Sequence, residues 1–224
     1  MPQADQKSNR QERRRREVHR RILDAAVELF DARGVANTRI DDICEFADLA
    51  QKTFFNHFST KQHLFREITY SFIQNVCALV EEGRKEQGST GERLAYVFRR
   101  AGEEAHRRGP HHRELLQEAA RLGAAEEIDP AQSRSLPQAF RALLADGIAA
   151  GDVTRLQSLP FLTETVVSVF QGVFKNWAHD EHYALDLHLE EAARFLSRAI
   201  VCDEATNPQH RIEKLPPAAG GLED

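Results

Sequence analysis

The side chains best suited to chemistry stand within residues 38–61, TRIDDICEFADLAQKTFFNHFSTK. Gln51, Lys52, Phe55 and Asn56 share one face of a seven-residue segment at helical spacing. Gln and Asn can bond an adenine edge, Lys a guanine edge, and Phe can touch a thymine methyl. That face therefore has the inventory to read base pairs in a major groove, which admits one α-helix. Catalysis finds no comparable set. No nucleophile–base pair stands at helical spacing, so the chain is not expected to be an enzyme. His106, His111 and His112 flank Gly109-Pro110, and His179 and His182 stand three apart. No HExxH occurs, and no cysteine sits near them at zinc-finger spacing. These read as loop histidines, with no metal and no cofactor expected.

The elements around residues 51–57 must hold that face outward. Ile40, Ile43 and Ala47 line one side of a short helix over 39–47. The pattern breaks at Asp48-Leu49 and resumes at Gln51, with Phe54 and Phe58 turned inward. A longer helix precedes them, its face made by Val18, Ile22, Ala25, Ala26 and Leu29, with Gly34 as its stop. Thr38 with Asp41, and Ser59 with Gln62, have the spacing of capping boxes. Together these make a helix-turn-helix in a three-helix unit.

The rest is all helical in pattern. Helices are expected over about 60–87, closed by Gly88, then 89–106 from a Ser89/Glu92 box, and 111–123 after Gly109-Pro110. Asp129-Pro130 reads as a cap, and Pro137 restarts a helix that ends near Gly151. Two more cover 159–178 and 187–202. The expectation is an all-α fold of about nine helices. A basic flexible arm (1–16) and a DNA-binding domain (17–64) come first. A ligand-binding and dimerisation domain (65–202) and a disordered tail (203–224) follow.

Composition sets the outer limits. Hydrophobic residues at 41% supply a packed interior and exclude a disordered chain. No apolar run nears the roughly 18–20 residues that span a bilayer, and the polar opening MPQADQKSNRQERRRR has no export core. Cys44, Cys77 and Cys202 are odd in number and far apart, which fits neither a disulfide framework nor a metal knuckle. A cytoplasmic protein with no membrane partner is expected. The net charge of −5 averages two unlike parts. Residues 1–65 hold 12 Lys/Arg against 10 Asp/Glu, and residues 1–21 alone hold 8 against 3. Residues 66–224 hold 18 against 25, an acidic body under a basic head.

The segment RRILDAAVELFDARGVANTRIDDICEFADLAQKTFFNHFSTKQHLF resembles the N-terminal domain of the TetR/AcrR family of bacterial transcriptional repressors. The likeness rests on AAxELFxxxG, the T-R-I-D-D-I start, T-F-F-x-H-F, and the lysine three residues beyond the last phenylalanine. It covers about residues 17–66; beyond them only length and helical layout agree. The resemblance implies that Thr53, His57 and Lys61 meet phosphates and that Gln51, Lys52, Phe55 and Asn56 read bases. It places Thr38 and Arg39 where the preceding helix crosses the backbone. The basic arm could follow the backbone or enter the minor groove. Three positions depart from the family pattern. Phe55 stands for a tyrosine, Asp48 for the glycine of the turn, and Ala50 for a serine cap worth about 1 kcal/mol.

The last two helices carry apolar stripes: Phe161, Leu162, Val166, Val169, Phe170, Val173 and Trp177 on one, and Leu189, Phe195, Leu196 and Ile200 on the other. The resemblance implies a homodimer through a four-helix bundle of these helices. That dimer would set two recognition helices on a palindromic operator. Candidate interface residues are Phe161, Val166, Val169, Phe170, Val173, Trp177, Leu189, Phe195, Leu196 and Ile200. The middle helices would enclose a mostly apolar pocket with a few polar anchors. Candidates are Phe72, Asn75, Phe98, Gln117, Arg121, Phe140, Phe170, Gln171 and Phe174. The expected protein is a ligand-responsive repressor released from double-stranded DNA by a small, largely apolar effector. The alternative is a helical scaffold that kept the fold without binding DNA.

Overall fold

The computed structural model describes residues 3–108, 111–123 and 135–200. Nine helices run through them: α1 (Gln3–Arg33), α2 (Ile40–Phe46), α3 (Gln51–His57), α4 (Lys61–Lys85), α5 (Thr90–Arg107), α6 (His112–Gly123), α7 (Ser135–Ala150), α8 (Leu159–His179) and α9 (Leu185–Ile200). The all-α expectation holds. Asp129-Pro130 and the tail 203–224 lie outside the described residues.

The helix ends show which side chains win the local competition. Thr38 does not cap α2. Its hydroxyl turns inward and donates to the Gly34 carbonyl at 2.9 Å, and the residue is buried. Arg39 takes the cap position, its N–H donating to Asp42 Oδ2 at 2.7 Å. The box is thus shifted by one residue, because Thr38 closes the preceding turn instead. Thr60, rather than Ser59, caps α4, accepting from the His63 N–H at 3.0 Å. The Ser89/Glu92 box forms as expected, with the Ser89 N–H donating to Glu92 Oε2 at 2.8 Å.

The arm expected over 1–16 is helix from Gln3 onward, continuous with α1. Its Arg and Gln residues are good helix formers, and Arg16 pairs with Glu12 one turn back. Gly34 ends α1 at φ +81°, a conformation that an L side chain rarely takes.

Two apolar cores share one long helix. The N-terminal core joins Ile22, Leu29 and Phe30 of α1, Ile43 of α2, Phe54 of α3, then Phe58, and Leu64, Phe65 and Ile68 of α4. The Phe30 and Phe65 rings stack at 5.2 Å. Leu115 of α6 closes this core from the body side. The body core joins Leu94, Val97 and Phe98 of α5, Phe140, Leu143 and Leu144 of α7, and the inner faces of α8 and α9. Val80, near the far end of α4, belongs to it. A fully buried Phe or Leu contributes about 1.5–3 kcal/mol by its removal from water. Both cores therefore grip α4, which ties the head to the body.

Candidate nucleic-acid interface

α3 is held by two phenylalanines and little else. Phe54 and Phe58 are fully buried, their rings 5.7 Å apart. Ala50 precedes the helix with no side-chain cap, as expected from its methyl group. With Phe54 pointing in, the opposite face must point out. Gln51, Lys52, Phe55 and Asn56 are all exposed, and Thr53 and His57 are half-buried on the flanks. Phe55 stands 49% exposed, a large apolar group that α3 leaves in water. Its ring stands edge-to-face with that of Phe54, centroids 5.4 Å apart.

Gln51 is not free in this arrangement. Its amide donates to Asp41 on α2, so it must leave that carboxylate to meet a base. Lys61 opens α4, its ammonium 5.7 Å from the centre of the Phe65 ring. Arg39 is exposed at the start of α2. Thr38 is the one expected contact whose side chain is withdrawn, for the reason given above.

The turn between α2 and α3 has a support that the motif does not advertise. Asp48 takes φ +50°, the left-handed conformation that Asp tolerates better than most residues. Arg21 of α1 donates to the Ala47 carbonyl, and also reaches the Asp48 carbonyl at 3.5 Å. A cation on these carbonyls also favours the C-terminal end of α2. Sequence spacing alone could not have linked Arg21 to a turn 26 residues away.

A second group escaped the sequence reading. His19 of α1 stacks on Phe58 at 4.5 Å and lies 5.8 Å from the His57 ring. His19 Nε2 is 3.8 Å from Glu67 Oε2, and His63 Nε2 is 3.8 Å from Glu67 Oε1. Burial pushes the pKa of His19 down; Glu67 opposes this, while His63 and Arg15 add to it. Burial likewise lowers the pKa of His57, helped by the charges of His19 and Arg15. Among the described residues no group of His, Cys, Asp or Glu is placed to hold a metal ion.

Among the described residues, three aromatic candidates for the pocket lining pack together. Phe98, Phe140 and Phe170 are buried against one another, with Phe98–Phe170 at 5.1 Å and Phe140–Phe170 at 5.6 Å. Phe174 and Trp177 continue the series toward His112, whose ring lies 5.2 Å from Phe72. Aromatic rings fill the space because each has a ring edge or face within reach. Asn75 and Gln171 are exposed. Gln117 is spent on the Ala178 carbonyl. The side chain of Arg121 lies outside the described residues.

The candidate seam also divides. Val166, Phe170, Val173, Trp177, Leu189, Leu196 and Ile200 are buried in the chain's own core, so they are not available as a surface. The stripes were too wide for one partner, and α5 and α7 cover most of them. Val169 is half-buried. Phe161 and Phe195 stand 56% and 62% exposed, with Leu187 at 53% beside them in the exposed set.

The body and head meet at α6. His112 is buried with its Nδ1 3.2 Å from Asp31 Oδ1 on α1, and the Val35 N–H donates to Glu114 at 3.2 Å. No helix among the described residues is long and apolar enough to cross a membrane.

Residues 22–68 match the family model of bacterial regulatory proteins, tetR family. Several solved structures share the fold. RolR in complex with resorcinol is 18% identical, with 84% of this chain and 89% of that one covered and a TM-score of 0.61. FadR of Bacillus subtilis in complex with stearoyl-CoA is 18% identical over 79% and 96%, at 0.60. A SmeT–triclosan complex is 17% identical over 93% and 99%, also at 0.60. No curated protein sequence matches the chain.

Proposed function

We propose that this chain, whose residues 22–68 form the N-terminal domain of the tetR family of bacterial regulatory proteins, is a cytoplasmic, homodimeric, ligand-responsive repressor of transcription. The observation that carries the reading is the outer face of α3. Four side chains able to contact base edges are exposed there, and burial of Phe54 and Phe58 fixes their direction. Thr53, His57 and Lys61 flank that face, where phosphates of a bound duplex would lie. Exposed Arg13, Arg14, Arg15 and Arg16 extend the positive surface along α1. Phosphate contacts supply affinity and orientation, and base contacts supply choice of sequence.

A dimer would cover Phe161 and Phe195 and set two α3 helices on the half-sites of a palindromic operator. The fold neighbours hold resorcinol, stearoyl-CoA and triclosan, which supports a small, largely apolar effector here. Such an effector would shift the protein toward a state with misplaced α3 helices, by its differential affinity for the two states.

Duplexes recovered from a random-sequence pool on the immobilised protein test the reading. Lys61→Ala is expected to weaken all of them alike and to lower the slope of log affinity against log salt by about 0.9. Lys52→Ala and Asn56→Ala are expected to relax the recovered sequence instead. A protein that retains no duplex at low salt is a helical scaffold, not a repressor.

A further inference from the structure

His57 sits at the C-terminal end of α3, on the flank that would face a phosphate, and it is not isolated. Two other elements bring charge near it. α1 supplies Arg15 and His19, and α4 supplies His63 and Glu67 behind His19. The His19 ring lies between, 5.8 Å from His57 and stacked at 4.5 Å on Phe58. Glu67 receives His19 on one oxygen and His63 on the other, each at 3.8 Å. Lys61 is turned to the Phe65 ring.

We infer that His57 takes up a proton when α3 meets a DNA phosphate, and that His19, backed by Glu67, governs how readily it does so. The inference rests on the DNA-binding reading above. In the free protein partial burial is the largest cost of charging His57, a protonated His19 and Arg15 both oppose its charge, and the carboxylate of Glu67 stands behind His19. A phosphate reverses that balance, because an opposite charge within about 4–6 Å favours the charged form. His19 and His57 are too close to charge independently, so a proton on one opposes a proton on the other. Burial, the larger effect, lowers the pKa of His19, and Glu67 opposes it by favouring the charged form. His19 is therefore a positioning residue, acting on DNA only through the state of His57.

The sign follows. Proton uptake on binding means that affinity rises as pH falls, by at most about tenfold per pH unit for one proton. His57→Gln replaces the ring N–H with an amide N–H donor that cannot titrate. His19→Phe keeps a ring to stack on Phe58 and removes the charge.

The test has two arms. In the first, the histidine ring signals of the DNA-free protein are followed by NMR between pH 8 and pH 5. His19→Phe is expected to move the His57 midpoint to higher pH; an unmoved midpoint overturns the inference. In the second, a duplex recovered by selection at pH 6 is titrated between pH 8 and pH 5.5. Wild-type affinity is expected to rise severalfold across that range, and His57→Gln to flatten the rise. Equal slopes in wild type and His57→Gln overturn the inference while leaving DNA binding intact. If no duplex binds at any pH, the repressor reading itself fails, and the inference with it.

Discussion

His112 Nδ1 lies 3.2 Å from Asp31 Oδ1, joining the start of α6 to the last turns of α1 across 81 residues of sequence. Both side chains are nearly enclosed, at 7% and 12% exposure. Asp31→Ala would leave a buried imidazole nitrogen without its acceptor, which costs about 1–3 kcal/mol. Denaturant unfolding should show that loss. A second consequence should appear in solution: the head loses a tie to the body, so an effector should shift DNA affinity less than in wild type.

Gly34→Ala attacks the same junction from the backbone. Gly34 has φ +81°, and a Cβ there would lie 2.8 Å from Glu114 Oε2. The strain should exceed about 1 kcal/mol. A thermal melt that equals wild type would show that the turn relaxes out of its left-handed conformation as well as away from Glu114.

Phe54→Ala removes a ring with no exposure at the centre of the helix-turn-helix. Such truncations cost about 3–5 kcal/mol. Because Ala50 gives α3 no cap, little else holds the helix, and duplex retention should vanish before the body unfolds. Retention measured beside the far-ultraviolet helical signal separates the two effects.

Phe195→Asp and Phe161→Asp should convert a dimer to a monomer in light scattering, with the helical signal unchanged. Val166→Asp should instead unfold the body, since Val166 is fully buried in its own chain. A charge placed there has no partner and no water.

Acid should loosen the head. Burial lowers the pKa of His19 and of His57 in the folded state. The unfolded chain then binds protons first, near the ordinary value of about 6.5. The stability contribution is complete above that value and is lost as pH falls below it toward the folded values. Melting between pH 7.5 and pH 5.5 should show a decline that His19→Phe reduces.

The head was legible from sequence because its signals are local. Helical spacing places Phe54 inward and Gln51, Lys52, Phe55 and Asn56 outward, and α3 obeys it residue for residue. The left-handed turn at Asp48 and the missing cap at Ala50 follow from the family resemblance, which marks those positions, together with the side chains found there. Thr38 misled because its hydroxyl donates back to the Gly34 carbonyl at 2.9 Å, with the Leu29 carbonyl at 3.4 Å, instead of accepting from an N–H of α2. Arg21, His19 and Glu67 were invisible for another reason. Their roles depend on contacts between helices far apart in sequence, which no periodicity encodes. The seam failed by width: an apolar stripe records that a face is buried, not whether its own chain or a copy buries it. Of the described seam candidates, Phe161 and Phe195 remain exposed and Val169 half-buried once α5 and α7 are in place.

The ring series from Phe140 through Phe170, Phe174 and Trp177 to His112 and Phe72 also bears on time. The proposed effector, if it enters the body there, would find its seat already taken by side chains. It would wait until several rings rotate out together. At high effector concentration the observed association rate should therefore level off at the frequency of that opening, instead of climbing with collisions.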